Sequence, residues 1–218
     1  MIDLHTHTIF SDGELLPSEL VRRAKVLGYE AIAITDHADY TNLEALVAAA
    51  KLARYLEQSY DIIVIPGVEL THVPPGHIAP LAKRAKGLGA EIVVVHGETP
   101  AEPVVPGTNA AAVACRDVDV LAHPGFITLQ EAHLAATNGV RLEITARNGH
   151  NMTNGHVARV AAQEDALLVV DTDAHAPEDL ITAQRARQVA LGAGLSEAQA
   201  SRAAENAKAF VRSVLGRR

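Results

Sequence analysis

Met1-Ile2-Asp3-Leu4-His5-Thr6-His7-Thr8 opens the chain, an apolar start that runs straight into His-x-His. Residues i and i+2 of an extended segment point to the same side, so His5 and His7 can grip one ion. Taken alone the pair decides little. It gains weight because short apolar runs ending on ligand-type side chains recur along the chain. Ala31-Ile32-Ala33-Ile34-Thr35 leads to Asp36-His37, and Ile62-Ile63-Val64-Ile65-Pro66-Gly67-Val68 leads to Glu69. Ile92-Val93-Val94-Val95 leads to His96, Val120-Leu121-Ala122 to His123, and Leu167-Leu168-Val169-Val170-Asp171 to Asp173-Ala174-His175.

These runs are the strand candidates: 2–5, 31–35, 62–69, 91–96, 118–122, 141–145 and 167–171. Most lack polar alternation, as expected of parallel strands buried on both faces. Between them lie helix candidates near 17–28, 41–58, 77–88, 108–116, 128–138, 154–164 and 178–193, followed by a C-terminal pair. Pro17 suits a first helical turn and Gly28 a helix end. Ser196 with Gln199 forms a capping-box pattern that opens a final helix. Unbroken βα alternation allows a closed barrel or an open doubly wound sheet. An open sheet gathers its site from a few strands at one switch point; a barrel gathers it from many strand ends on one face. Candidate ligands follow six of the seven strands, so the predicted fold is an α/β barrel of the (β/α)7, TIM-like kind. The site lies at the C-terminal face of the strands, in one domain spanning 1–218.

Composition narrows the function classes. The 218 residues are 48% hydrophobic, only 3% aromatic, and carry a net charge of −7. That balance lacks the basic footprint of a nucleic-acid binder, and few rings are available for stacking bases. No apolar run reaches membrane-spanning length. One cysteine, Cys115, rules out an internal disulfide and suits a reducing compartment. With a first strand beginning at residue 2 and no signal peptide before it, a cytoplasmic protein is expected.

A lone histidine at a strand end is more often a satisfied core residue than a ligand, and Asp12 in Ser11-Asp12-Gly13 alone reads as a turn. Six independent coincidences on one face are a different matter. An acid or imidazole at the lip of a buried strand costs desolvation unless it is paired or metal-bound. Asp36 is expected to orient a neighbouring histidine. His133 and His156 fall in helices, and His77 starts one. His72 and His150 lie just past strand ends on the same face as the ligands. Arg147 follows the sixth strand, the one without a ligand, and its guanidinium matches phosphate oxygens bidentately. Glu143, within that strand, reads as structural.

His5-Thr6-His7, Ser11-Asp12-Gly13, Thr35-Asp36-His37, Gly67-Val68-Glu69, His96, Ala122-His123-Pro124-Gly125 and Asp173-Ala174-His175, in this order, resemble the PHP (polymerase and histidinol phosphatase) family of metal-dependent phosphoesterases. The resemblance runs from residue 2 to the final helices. It implies a distorted seven-stranded barrel with a trinuclear metal centre. The first ion would take His5, His7, Glu69 and Asp173. The second would share Glu69 and add His96 and His123; the third would take Asp12, His37 and His175. Some members have a histidine where this chain has Asp12. The chain is also compact beside the family's histidinol phosphatases, which carry longer loops over the site.

The expected function is therefore hydrolysis of a small phosphomonoester, histidinol phosphate or similar, as in histidine biosynthesis. Two or three divalent ions (Zn, Mn or Fe) would serve as cofactors, since mixed imidazole and carboxylate donors accommodate all three. A hydroxide bridging the first two ions would be the nucleophile, because metal binding brings water's pKa to about 7. Glu69 and Asp173 would hold the reacting ions, Arg147 would clamp phosphate, and His150 or His72 would protonate the leaving group. The expected partner is a small phosphorylated substrate, with neither membrane nor nucleic acid. Two alternatives stand beside this: a phosphodiesterase or nuclease of the same family, and a non-catalytic barrel subunit of a nucleic-acid-processing complex.

Overall fold

The computed structural model describes all 218 residues. All seven expected strands form: β1 (Ile2–Asp3), β2 (Ala31–Ile34), β4 (Ile63–Leu70), β5 (Ile92–His96), β6 (Val120–Ala122), β7 (Arg141–Thr145) and β8 (Leu168–Asp171). A two-residue strand, β3 (His37–Ala38), prolongs the line of β2 and pairs with the end of β4. Every pairing is parallel, in the order β1-β2-β4-β5-β6-β7-β8. Between β8 and β1 no regular ladder forms. Instead the segments just past both strands join: Asp173 N donates to His5 O (3.0 Å), and His7 N donates to Ala174 O (2.8 Å). Below them Leu4 N donates to the Asp171 carboxylate at 2.7 Å. The sheet is thus nearly closed into the distorted (β/α)7 barrel that the sequence predicted, and the closing seam runs through the His-x-His segment.

Strand alternation decides what points inward. Ala31, Ala33, Ile65, Ile92, Val94, Val120, Ala122 and Val169 share one buried cluster with Leu4. Their neighbours Val68, Leu70, Val93, Val95, Leu121, Leu142 and Ile144 belong to a second cluster, under the helices. Burying one such aliphatic side chain is worth about 1.5–3 kcal/mol. Gly67 faces inward too, because a Cβ there would lie 2.2 Å from Ile92 Cγ2 and 2.6 Å from Ile92 O.

The helices are α1 (Pro17–Val26), α2 (Leu43–Leu52), α3 (Leu56–Tyr60), α4 (Pro75–Leu88), α5 (Thr108–Ala114), α6 (Leu129–Asn138), α7 (Asn154–Gln163), α8 (Ala183–Gly192) and α9 (Glu197–Leu215). The expected 41–58 helix is interrupted by a 3-10 turn at Ala53–Tyr55. The expected C-terminal pair is one helix, α9. Its buried residues Ala200, Ala203, Ala207, Phe210, Val211 and Val214 keep a single face at helical spacing, with no Gly or Pro to break it. Ser196 and Gln199 make the reciprocal capping box at its start. Phe210, Val211 and Val214 pack onto the barrel-interior cluster. No helix is long and apolar enough to cross a membrane.

Candidate metal centre

The same alternation that fills the barrel with aliphatics carries polar side chains into its upper end. Glu69 lies two residues past Gly67, His96 two past Val94, and Glu143 two past Arg141. Glu69 and Glu143 are 0% exposed and His96 is 3% exposed, so each needs a partner within the barrel. His5 and His7 join them from the seam. The His123 backbone has φ 26°, Asp173 φ 53° and His72 φ 51°. Non-glycine residues enter this left-handed region at a cost and persist where surrounding structure holds them, often at functional sites. Asp173 and His175 stay close, with His175 Nδ1 3.5 Å from Asp173 Oδ1, although the Asp173 backbone is not extended. The turn at Asp173 sends the two side chains to different groups of donors.

The first group comprises His5, His7, Glu69 and Asp173. His5 Nε2 and His7 Nε2 face each other at 3.1 Å. His5 Nε2 is 3.3 Å from Glu69 Oε1 and 3.6 Å from Asp173 Oδ1, while His7 Nε2 is 3.2 Å from Asp173 Oδ1. The third group is an almost regular triangle. Asp12 Oδ1 lies 3.3 Å from both His37 Nε2 and His175 Nε2, which are 3.4 Å apart. Ligands about 2.0–2.2 Å from a common ion must stand roughly 3.0–3.6 Å from one another, so both groups have the spacing of a coordination shell. The second group is looser: His123 Nε2 lies 3.8 Å from Glu69 Oε1 and 3.6 Å from Asp173 Oδ2, with the His96 ring centroid 4.4 Å from that of His123. Glu69 Oε1 is buried without a hydrogen-bond partner, and it sits between His5 and His123, where a carboxylate shared by two ions would stand. His150 joins His96 and His123 with ligand atoms within 4.8 Å of one another.

Charge states fit the same purpose. Burial alone would raise Glu69, Asp12 and Asp173, yet the neighbouring imidazoles hold all three below the usual carboxylate range. Burial alone would lower His5 and His37, but the Glu69 carboxylate raises both, with Asp173 and Glu143 adding at His5 and Asp12 adding at His37. His5 is held well above its ordinary value and His37 at about 10. Burial pushes His7 down to about 4, and burial, followed by the neighbouring His96, lowers His123 strongly. Ionised carboxylates beside neutral imidazoles supply lone pairs. Where protons lodge on His5 and His37, a divalent cation can displace them.

Most rings are also aimed. His5 Nδ1 donates to Glu143 at 2.9 Å, His37 Nδ1 to Glu69 Oε2 at 2.7 Å, and His175 Nδ1 to the Asp173 carbonyl at 2.8 Å. His150 Nδ1 meets Thr99 Oγ1 at 3.0 Å. Tying Nδ1 leaves Nε2 turned toward the cluster, the usual arrangement around a metal-ligating histidine. Glu143, expected to be structural, sits beneath His5 and also accepts from His123 N at 2.7 Å. Asp36, expected to orient a histidine, instead accepts from Thr8 N, Thr8 Oγ1 and Ser11 Oγ, and so pins the loop that carries Asp12. Glu102, which no periodic signal marked, contacts His72, His96 and His150.

Above the donors opens a cavity of about 260 Å³ lined by Asp12, His37, Thr71, His72, His96, Glu102, Arg147, His150, Asp173 and His175, without one hydrophobic side chain. The structure thus brings all nine expected ligands to one barrel mouth, with Arg147 and His150 on its wall. Arg147 Nη1 is held by Asp179 at 2.9 Å, and Asp179 also caps His175 N and Ala176 N.

The PHP domain model matches residues 3–107. The uncharacterised protein MJ1295 of Methanocaldococcus jannaschii is 56% identical over 196 residues, covering 89% of this chain and 90% of that protein. Among solved structures, an archaeal ribonuclease P with mature tRNA contains a chain that superposes with TM-score 0.74 at 18% identity, covering 98% of this chain and 91% of that one. The histidinol phosphate phosphatase of Lactococcus lactis, complexed with zinc, L-histidinol and phosphate, gives TM-score 0.62 at 16% identity over 89% of this chain and 94% of that one. These two likenesses are of fold.

Proposed function

The chain belongs to the PHP-domain family, and from that premise we propose that residues 1–218 form one unit that hydrolyses a small phosphomonoester with divalent metal ions. The observation that carries this reading is the convergence of three donor groups beneath one wholly polar cavity of about 260 Å³. Such a cavity has room for a phosphate and a small body, just below ligand-pocket sizes of about 300–1,000 Å³.

His5, His7, Glu69 and Asp173 would hold one ion, His96 and His123 with the shared Glu69 a second, and Asp12, His37 and His175 a third. When bound, such ions supply an activated water and neutralise the charge developing on phosphorus. The rest is the work of the chain. Arg147, on the cavity wall, offers its guanidinium to phosphate oxygens, and Asp179 fixes its direction. His72 and His150, the latter braced by Thr99, both line the cavity, and one of them would protonate the leaving alkoxide. The polar lining excludes an apolar competitor from the phosphate position. Histidinol phosphate is the first substrate to try, on the strength of the likeness to the Lactococcus phosphatase.

A second reading, a nuclease-type phosphodiesterase, is favoured by one feature of the surface. Phe10, Tyr40 and Phe126 are all exposed, each three residues past a site histidine, and exposed rings can stack bases. The likeness to the ribonuclease P chain points the same way.

One experiment tests both. The metal-loaded protein is assayed on an aryl phosphate, a bis-aryl phosphate, histidinol phosphate and a 5′-phosphorylated oligonucleotide, beside the His5→Ala/His7→Ala double variant. Monoester turnover that vanishes in the variant supports the first reading, and faster cleavage of the diester or oligonucleotide replaces it with the second. Undiminished turnover in the variant defeats both.

A further inference from the structure

One carboxylate in the cluster stands outside the nine expected ligands. Glu102 lies on the loop joining β5 to α5, and its Oε2 is 3.3 Å from His96 Nε2 and 3.0 Å from His72 Nε2. Its other oxygen, Oε1, is 3.4 Å from His150 Nε2. The His96 and His150 separations match the Asp12–His37–His175 triangle, at 3.3–3.4 Å. The rings are aimed as the other ligand rings are: His96 Nδ1 faces Gly97 O at 3.2 Å and His150 Nδ1 faces Thr99 Oγ1 at 3.0 Å, so both turn Nε2 toward Glu102. His96, His123 and His150 bring their ligand atoms within 4.8 Å of one another. By contrast, the oxygen that Glu69 would lend to this position is 3.8 Å from His123 Nε2. The looser second group is the one that Glu102 approaches.

The loop is built to hold the carboxylate still. Glu98 Oε1 accepts from Gly107 N and Asn109 N, both at 2.9 Å, which ties the two ends of the loop together. Asn109 Oδ1 accepts from Glu98 N at 3.0 Å, and Asn109 Nδ2 donates to Pro124 O at 2.7 Å, locking the loop to the His123 turn. Gly125 permits that contact, since a Cβ there would meet Glu98 O at 1.9 Å. Thr99 is buried at 2% exposure. The loop is thus pinned at both ends.

We propose that Glu102 is a ligand of the second metal ion, which in this chain takes His96, His123, His150 and Glu102, with Glu69 reaching across from the first; His150 Nε2 is then engaged, and the leaving-group proton falls to His72 on the same cavity. This rests on the multi-ion reading above. A fourth carboxylate lowers the positive surplus of three divalent ions to about two charges, which a phosphate dianion balances.

The test uses the full chain, stripped with a chelator and titrated with Co²⁺, followed by visible absorption and by metal retained after gel filtration. The Glu102→Gln, Glu102→Asp and His150→Gln variants run beside wild type. The expected result is one Co²⁺ bound at least about 100-fold more weakly in each variant, beyond the 10- to 100-fold typical of an outer-sphere loss. The other ions should bind unchanged, and the chelated variants should melt where chelated wild type does. Glu102→Gln binding as many ions as wild type with equal affinity overturns the proposal. If that variant also binds inorganic phosphate more tightly, Glu102 is a competitor for the phosphate position. Wild type that binds no Co²⁺ would remove the multi-ion reading itself, whereas wild type that binds it and variants that match remove only the role of Glu102.

Discussion

Replacing Glu143 by Gln removes one charge from a wholly buried position and changes almost no volume. The two carboxylate oxygens have distinct duties: Oε1 accepts from His5 Nδ1 at 2.9 Å, and Oε2 accepts from His123 N at 2.7 Å. Gln keeps one acceptor for two donors and turns its NH₂ toward the other. If the oxygen stays on the His123 amide, the His5 ring faces an N–H and must flip its tautomer, which puts the proton on Nε2, where the ion needs a lone pair. If it stays on His5, a buried backbone N–H is orphaned, at about 1–3 kcal/mol. The first outcome weakens metal binding by about 10- to 100-fold, or about 1.4–2.7 kcal/mol. The second lowers the melting temperature of the chelated protein, by about 2–4 °C per kcal/mol in a chain of this size. Competition against a chromophoric chelator reads the affinity, and a thermal melt with chelator reads the stability. If Glu143→Gln binds its first ion within twofold of wild type and, chelated, melts where chelated wild type does, neither outcome holds and the account of ring orientation is wrong.

Without metal, stability should peak near pH 6.5. His7 and His123 are neutral in the fold but protonate near 6.5 once unfolded, so stability is lost as pH falls from 6.5 toward about 4. His5 and His37 carry protons in the fold well above 6.5, so their contribution is complete below that value and disappears as pH rises toward about 10. Melts of chelated protein from pH 4 to pH 10 would show the maximum, and added divalent metal should flatten the alkaline limb because cations replace those protons; a monotonic profile contradicts the assignment. Arg147→Ala should raise KM for an aryl phosphate about tenfold or more with bound metal unchanged, measured by steady-state kinetics beside elemental analysis; an unchanged KM would return Arg147 to its partner Asp179 as a purely structural pair.

Much of the barrel was readable because its strands are short and apolar on both faces, and each ends where its character changes. Every predicted strand was found, the 141–145 strand with its ends as expected, and the others trimmed by one or two residues or, at β4, moved along by one. Where a C-terminal pair is expected, one helix, Glu197–Leu215, forms. Only packing shows that Ala200 to Val214 keeps one face against the barrel. The closing seam was also hidden. It depends on Asp171 accepting from Leu4 N, on Asp3 accepting from Thr172, and on backbone pairs between 5–7 and 173–174, none with a periodic signature.

Eight of the nine candidate ligands were legible for a reason that does not extend to their supports, while Asp12, on a turn, entered only through the family resemblance. Those eight lie at the open ends of strands, so they interrupt apolar runs at the place where a reader looks. A support lies one layer below or across, and its position follows from which strands neighbour each other. Glu143 reaches His5 because β7 and β8 separate it from the seam by a distance that only the closed sheet defines. Thr99 reaches His150 across 51 residues of sequence, and Glu102 reaches His72 across 30. Asp36 shows the converse error: adjacency to His37 suggested a shared task, yet the strand alternation that turns His37 toward Glu69 turns Asp36 the other way, toward Thr8 and Ser11. In a barrel the side chain next in sequence is on the opposite face, and the working neighbour is on the next strand. A ligand set can thus be read along one line of sequence, while the carboxylates that aim it are found only after the sheet is closed.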